Sequence, residues 1–262
     1  MKVTILGCGG SAGVPQLGGP DGRGDWGACD PAEPRNRRTR SSIVIQSGTG
    51  ERLLVDTSPD MRAQLLACGV PLVDAILFTH AHADHVLGMD DVRILNRLIG
   101  RPIDAWMTPR THDELVGRFD YAFKPWQGPM FFRPVLVARE LTAGDTIEAA
   151  GLQIQTFEQD HGYMPTLGVR IGPFGYSTDV AKLTNAALDT LAGVDTWVVD
   201  CFQRKAHHTH SNLDQVLAWR ERVRPRRTVL THMGWDIDWA WLKKKLPEGV
   251  EPAYDGLILE FP

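Results

Sequence analysis

The segment His-Ala-His-Ala-Asp-His at residues 80–85 carries the side chains with the clearest chemistry in this sequence. Three imidazoles and one carboxylate fall within six residues, on His80, His82, Asp84 and His85. Imidazole and carboxylate are the ligands that zinc, manganese and iron take at hydrolytic centres. Histidines crowded together in an apolar setting lack other partners, so the segment predicts a divalent-cation site.

The residues before this cluster predict where it lies in the fold. Asp74–Thr79 is a short apolar run typical of a buried strand, so the cluster should occupy the loop at the end of that strand. Three further metal-ligand residues follow other predicted strands in the same way. They are His161 after Leu152–Phe157, Asp179 after Phe174–Ser177, and His232 after Thr228–Thr231. Polar ligands after four strands are what a metal site at a sheet edge requires.

The composition is that of an ordinary globular protein. The chain has 262 residues, of which 43% are hydrophobic and 23% are charged, and this length is enough for a sizeable core. The net charge of −4 argues against a general nucleic-acid binder, so we expect no long nucleic acid as a partner. A nucleotide or another small phosphate ester remains compatible with that charge.

Neither a membrane segment nor an export signal is evident. No apolar run approaches the roughly 20 residues needed to cross a bilayer, so we expect no membrane contact. The first residues read as a strand that runs into Gly7, unlike a signal peptide. The four cysteines, Cys8, Cys29, Cys68 and Cys201, are scattered along the chain. These features predict a cytoplasmic protein with reduced thiols.

No repeat, linker or low-complexity tract divides the chain, so we expect one domain over residues 1–262. Further strands are predicted at Val3–Leu6, Ser42–Gln46, Arg52–Asp56, Ile103–Met107, Ile147–Ala149, Leu167–Ile171, Thr196–Asp200, Arg227–Leu230 and Leu257–Phe261. Helices are predicted at Asp60–Ala67, Gly88–Leu98, Thr111–Arg118, Ala186–Leu191 and Trp239–Leu246, and another opens at Ser211 with Asp214 as its capping-box partner. This β-rich and then α order occurs twice, which predicts two sheets with helices outside them in layers.

The sequence resembles the metallo-β-lactamase superfamily of metallohydrolases. Residues 80–85 match its H-x-H-x-D-H motif in full, and the residues after the later strands stand in the order of its remaining ligands. The resemblance implies an α/β fold, a four-layer αββα sandwich of two mixed β-sheets with helices on the outer faces. It also implies two metal sites, one held by His80, His82 and His161, the other by Asp84, His85 and His232, with Asp179 bridging both.

Such a centre implies a hydrolase with two divalent cations, Zn²⁺ or Mn²⁺, with iron as a further option. Two such ions together activate a shared water and neutralise an anionic substrate oxygen. The resemblance also gives Asp84 a catalytic role, because its carboxylate offsets metal charge and orients the nucleophile. Asp179 suits the bridging position because a carboxylate offers one oxygen to each ion.

Three local features resemble the phosphodiesterase branch of the superfamily, which includes ribonuclease Z and the phosphoribosyl 1,2-cyclic phosphate phosphodiesterase of phosphonate breakdown. The most informative is His210, which directly precedes the helix that opens at Ser211, where the helix dipole favours a phosphate. The resemblance implies that His210 acts on the phosphate or the leaving group. His208 is its competitor for that role, and both are expected to contact substrate.

The other two features leave alternatives open. The Gly-rich segment Gly7–Pro15 either offers backbone N–H groups to a phosphate or makes a tight connection beside the metal. Arginines occur at positions 35, 37, 38 and 40, and they either meet phosphate or form a solvated face. The solvated face is the prediction for most of them.

The leading hypothesis is a dinuclear phosphodiesterase that acts on a small cyclic phosphate or nucleotide-like substrate. One alternative is hydrolysis of a thioester or lactone by the same centre. Another is a non-catalytic carrier or accessory protein, similar to the accessory protein of pyrroloquinoline quinone biosynthesis. The long loop carries Cys29 alone, so the cysteine-held structural zinc of the phosphoribosyl enzyme is not expected, and no protruding arm like that of ribonuclease Z is evident. A homodimer is left open.

Overall fold

The computed structural model describes residues 1–125 and 134–262, and within them two seven-stranded sheets face each other. The first has the order β14-β1-β2-β3-β4-β5-β6, and the second has the order β13-β12-β11-β10-β9-β8-β7. The strands are β1 Lys2–Gly7, β2 Ser42–Gln46, β3 Arg52–Val55, β4 Ala75–Leu77, β5 Ile103–Met107, β6 Leu136–Glu140, β7 Thr146–Ala149, β8 Leu152–Asp160, β9 Pro165–Ile171, β10 Phe174–Ser177, β11 Thr196–Asp200, β12 Arg227–Thr231, β13 Val250–Pro252 and β14 Ile258–Glu260.

Seven α-helices lie in the described residues, and they cover the outer faces of the two sheets. They are α1 Met61–Ala67, α2 Ala83–Val86, α3 Val92–Ile99, α4 Pro109–Phe123, α5 Asn185–Leu191, α6 Leu213–Val223 and α7 Trp239–Lys243. Two 3₁₀ turns, Pro34–Asn36 and Leu87–Asp91, complete the set. The predicted αββα sandwich of two mixed sheets is therefore confirmed.

The period-2 pattern of the strands explains the layers. In β2, Ile43 and Ile45 point into the apolar core between the sheets, whereas Val44 points to the opposite face. On that opposite face Val44 joins a second buried cluster, to which α1 contributes Met61 and Leu65. The central strands of the first sheet are thus buried on both sides, which fits strands that read as nearly continuous apolar runs.

Parallel pairing brings the functional strand ends together. β3, β4, β5 and β6 are mutually parallel in the first sheet, as are β10, β11, β12 and β13 in the second. Their carboxyl ends therefore collect at one edge of the sandwich. The antiparallel hairpin of β8 and β9 adds its own turn, residues 161–164, to the same edge.

The start of α6 corrects one prediction. Asn212, not Ser211, caps the helix, and the reciprocal capping partner is Gln215, not Asp214. The Ser211 hydroxyl instead donates a hydrogen bond to the backbone carbonyl of Asp200 at the end of β11. A second correction concerns the chain after the His80 loop. One helix was predicted there, over Gly88–Leu98. The structure has α2, then the 3₁₀ turn Leu87–Asp91, and then α3.

The Gly-rich opening is a tight connection. The N–H groups of Gly9, Gly10 and Gly13 donate to the backbone carbonyls of Thr39, Met233 and Gly10 respectively. A Cβ on Gly10 would lie 2.7 Å from the Phe202 ring. These amides are therefore occupied by the protein itself, which favours the packing interpretation over a phosphate cradle.

One arginine of the 35–40 run does not form a solvated face. Arg38 is 2% exposed, and its guanidinium donates to the carbonyls of Gly234 (3.1 Å) and Ile237 (2.7 Å) and to Asn36 Oδ1 (3.0 Å). The Cys29 thiol donates to the Ile237 carbonyl as well, at 3.3 Å. A buried polar network therefore ties the N-terminal loop to the segment that follows β12.

The other three arginines of the run lie nearer the surface. Arg35 is ion-paired with Glu33, and Arg40 lies 3.1 Å from an oxygen of Asp60. Arg37 is exposed, with its guanidinium carbon 5.0 Å from the centroid of the Trp26 ring.

Among the described residues, no helix is long and apolar enough to cross a bilayer.

Replacing Arg38 with Met should lower the free energy of unfolding by about 2–4 kcal/mol, because two buried carbonyls would each lose a hydrogen bond from the charged guanidinium. Arg37→Met, one residue away on an exposed side chain, should change it by less than about 0.5 kcal/mol. Urea unfolding of the two variants measures both values. Equal stability of the two variants would contradict a supporting role for the Arg38 network.

Candidate metal centre

The seven ligand-type residues predicted from the sequence converge at the carboxyl edge of both sheets. The structure brings them into two groups whose ligand atoms lie within 4.8 Å of one another. The first group is His80, His82, His161 and Asp179, and the second is Asp84, His85, His232 and Asp179. Each group is large enough to hold a metal ion, and Asp179 belongs to both.

Asp179 lies between the two groups and turns one oxygen toward each. Its Oδ2 is 3.7 Å from His80 Nε2 and 3.6 Å from His161 Nε2. Its Oδ1 is 3.1 Å from His85 Nε2 and 3.2 Å from His232 Nδ1. The carboxylate is only 1% exposed, so its charge must be balanced by neighbours and not by water.

The donor set fits a divalent cation. Four buried atoms at the centre have no hydrogen-bond partner among the described residues: His80 Nε2, His85 Nε2, His232 Nε2 and Asp84 Oδ2. Leaving a polar atom buried and unpaired costs about 1–3 kcal/mol, and more for a charged group. Imidazole nitrogens and carboxylate oxygens that converge without other partners are the ligands expected of zinc, manganese or iron.

The protonation states agree with this interpretation. Burial lowers the pKa of four of the imidazoles, so these rings stay neutral and offer lone pairs: His80, His82, His161 and His232. His85 behaves differently. Burial again opposes its charge, but the carboxylates around it, first of all that of Asp179, outweigh burial and raise the pKa of His85 well above its usual range. The centre therefore favours a positive charge at this point.

Asp56, which sequence reasoning missed, orients ligands of both groups. Its Oδ2 lies 2.7 Å from His85 Nδ1 and accepts a hydrogen bond from Thr79 Oγ1 at 2.8 Å. Thr79 Oγ1 in turn lies 3.0 Å from His80 Nδ1. One fully buried carboxylate therefore fixes two imidazoles, each with its Nε2 directed at the centre.

Backbone strain marks the same place. Asp56, Asp179 and His232 are three of the five described non-glycine residues with positive φ, at 64°, 52° and 55°. Each follows a strand by one or two residues. The left-handed conformation costs roughly 1–2 kcal/mol for a residue with a Cβ, although Asp and His adopt it more readily than most. The packing around the centre therefore maintains conformations that the free chain disfavours.

His210 lies beside the centre and is not part of either ligand group. Its Nδ1 is 2.8 Å from Asp200 Oδ2, and its ring centroid lies 4.7 Å from those of His161 and His232. Although burial alone would lower it, the Asp200 carboxylate raises the pKa of His210 to about 9. His210 is therefore a cation at neutral pH, next to imidazoles that are neutral.

His208, its competitor, does not share this position. The His208 side chain is exposed, and its ring centroid lies 6.4 Å from that of His207. Sequence reasoning also missed Asp200, which holds His210. The available signal was its place as the last residue of a predicted strand, which is the placement that marked the other ligands.

The sequence matches the family model of a beta-lactamase superfamily domain over residues 51–233. Among solved structures, a diphosphatase of the PhnP family superposes with a TM-score of 0.89 at 33% identity, covering 100% of this chain and 98% of that chain. Zinc-bound PqqB from Methylobacterium extorquens superposes with a TM-score of 0.79 at 20% identity, with both chains covered to 100%. At that identity the likeness shows the fold alone.

A curated relative is an octanoyltransferase from Porphyromonas gingivalis, 29% identical over 98% of this chain. The match takes in 51% of that protein, so this chain spans about half of its length. The family model covers both ligand groups, and the superposed diphosphatase covers the whole sandwich.

Replacing Asp56 with Asn should weaken metal binding about 10–100-fold, because an amide NH₂ opposes the Nδ1–H of His85 and breaks the link to His80. Asn tolerates the left-handed backbone at this position, so the fold should persist. Competition with a chromophoric chelator measures the affinity. Asp104→Asn, at an exposed carboxylate on β5, is the matched control, and equal affinities in the two variants would sink the idea.

Proposed function

The chain belongs to the β-lactamase superfamily and has its metallo-β-lactamase fold, and on that premise we propose that it is a metal-dependent phosphodiesterase acting on a small phosphate ester. The observation that carries the proposal is the position of His210, whose Nδ1 lies 2.8 Å from Asp200 Oδ2 at the rim of the ligand cluster. A buried imidazolium beside an anion-binding centre suits proton donation to a departing alkoxide. The match to a PhnP-family diphosphatase, which by its name cleaves a phosphorus–oxygen bond, supports the same chemistry.

The roles of the chain's own residues follow from the geometry. The two ligand groups, which share Asp179, would hold two divalent ions, Zn²⁺ or Mn²⁺ by donor type, with iron as a further option. When bound, such ions supply an activated water and positive charge for the phosphoryl oxygens. Asp84, 9% exposed, is the least buried carboxylate of the cluster, which suits an oxygen that accepts a hydrogen bond from an incoming water.

His210 would deliver its proton to the leaving oxygen, and Asp200 would keep it oriented for that step. Asp200 is fully buried, and besides His210 it accepts a hydrogen bond from the Val180 backbone N–H at 3.0 Å. This second hydrogen bond fixes the carboxylate, and the carboxylate then fixes the imidazole. The Phe202 ring packs against the His210 ring, with the two centroids 4.6 Å apart.

A second candidate is hydrolysis of a thioester or a lactone by the same residues. The octanoyltransferase from Porphyromonas gingivalis favours it, because its name describes an acyl group as substrate and 98% of this chain aligns with it. A carrier or accessory protein without catalysis is the third alternative. The complete set of ligand-type residues and the His210–Asp200 pair favour an enzyme over a carrier.

The Mn²⁺-loaded or Zn²⁺-loaded protein should hydrolyse bis(p-nitrophenyl) phosphate and should do so faster than an octanoyl thioester. His82→Ala, which removes one ligand of the first group, should lower turnover at least about 100-fold. Release of p-nitrophenolate and of free thiol measures the two reactions side by side. Turnover of the thioester alone would replace the proposal with its alternative, and turnover of neither would favour the carrier.

The role of His210 predicts a dependence on the leaving group. His210→Ala should lower kcat by about 10²–10⁴-fold for a cyclic nucleotide, whose leaving group is an alkoxide that needs a proton. It should lower kcat far less for bis(p-nitrophenyl) phosphate, because p-nitrophenolate leaves without one. His208→Ala is the matched comparison and should leave both rates nearly unchanged. If the two variants exchanged these behaviours, His208 would be the acid.

A further inference from the structure

Tyr163 is a rim residue that makes a direct contact with a ligand of the first group. Its hydroxyl lies 3.1 Å from His82 Nε2, and the two ring centroids are 5.8 Å apart. Tyr163 is 70% exposed, which is unusual for a large aromatic side chain. The sequence motif gave no reason to examine it, because it lies two residues after His161 and carries no metal-ligand pattern.

Three other imidazoles of the centre show what such a contact does. His80 Nδ1 meets Thr79 Oγ1, His85 Nδ1 meets Asp56, and His161 Nδ1 lies 2.6 Å from the Thr209 carbonyl. In each case one ring nitrogen is held by the protein, and the remaining Nε2 faces the centre. This division fixes the tautomer and the orientation of a ligating imidazole.

His82 is also held by the protein through one ring nitrogen, but that nitrogen is Nε2 and not Nδ1. The Tyr163 hydroxyl takes Nε2, which leaves Nδ1 for the ligand group that contains His80 and His161. Among these partners, Thr79 and Asp56 are buried, and Thr209 contributes a backbone carbonyl. The contact to His82 is therefore the one that comes from an exposed side chain.

The turn that carries Tyr163 is rigid. His161 N–H donates to the Met164 carbonyl, and Tyr163 N–H donates to the His161 carbonyl. Gly162 has φ 85°, its N–H donates to Asp160 Oδ1 at 2.7 Å, and a Cβ there would lie 2.8 Å from the His208 carbonyl. The four-residue turn thus places a ligand, His161, and the partner of another ligand in fixed relation.

We propose that Tyr163 is a positioning residue for the metal centre: its hydroxyl holds His82 through Nε2 and presents Nδ1 to the first metal site. The inference rests on the metal site of the proposed function but not on its substrate. Loss of the hydroxyl frees the His82 ring, which is partly exposed and has no other side-chain hydrogen bond among the described residues. The first site should then bind its ion less tightly, while the second site keeps its buried partners.

Tyr163→Phe removes the hydroxyl and keeps the ring. Titration with Zn²⁺ against a chromophoric chelator should show that one of the two binding steps weakens by about 10-fold or more, as is typical for loss of an outer partner. The weakened step should be the one that His82→Ala abolishes. Met164→Leu, in the same turn, is the matched control and should bind Zn²⁺ as the wild type does. Thermal unfolding of all variants checks the fold.

A second measurement needs no metal and no substrate. Long-range ¹H–¹⁵N spectra of the metal-free protein report which nitrogen of His82 bears the proton, and Tyr163→Phe should alter that signal. Unchanged zinc affinity with an unchanged His82 signal would overturn the proposal. Tighter zinc binding would overturn it too, because the hydroxyl would then compete with the metal for Nε2. Neither outcome depends on whether the enzyme cleaves phosphodiesters, so the two proposals fail separately.

Discussion

The buried carboxylate of Asp179 is the constraint around which both sheets are arranged. It lies at the end of a strand of the second sheet, yet its two oxygens face imidazoles that follow strands of both sheets. Burial of an unbalanced charge costs several kcal/mol, so the sandwich can close at this edge only if cationic or metal-bound partners surround the carboxylate. Asp179 and His232 have a left-handed backbone, which directs their side chains into this centre. The surrounding contacts offset the cost of that conformation.

The sequence predicts the ligands because their signal is local. A buried strand and a polar residue directly after it are both readable within about ten residues of chain. His80, His161 and His232 satisfy that pattern, and the structure brings all three to the same edge. The layers of the fold follow from the alternation of strands and helices along the chain.

The supporting residues could not be predicted because their signal is distant in sequence. Asp56 is 29 positions from His85, and Tyr163 is 81 positions from His82. Nothing in the residues around Asp56 distinguishes it from an ordinary strand-end aspartate. Arg38 is a similar case, since a run of arginines is ordinarily solvated, and only the carbonyls of Gly234 and Ile237, 196 and 199 positions away, explain its burial. Whether residues 1–262 act as one domain stays a prediction.

The histidines of the site differ in protonation: the ligand imidazoles are mostly neutral, whereas His210 is charged. At most of the ligand imidazoles burial outweighs the attraction of Asp179, which lowers their pKa and keeps them neutral and suited to a cation. His210 has a carboxylate partner of its own, Asp200. That carboxylate is fully buried, and it also accepts a hydrogen bond from a backbone amide. His210 therefore keeps its second ring proton, whereas the neighbouring ligand imidazoles are neutral. In the proposed reaction, His210 would donate a proton to the leaving group while the ligand-type residues hold the metal ions. The contrast between the neutral ligand imidazoles and His210 arises because Asp200 ends β11 and Asp179 follows β10, its parallel neighbour.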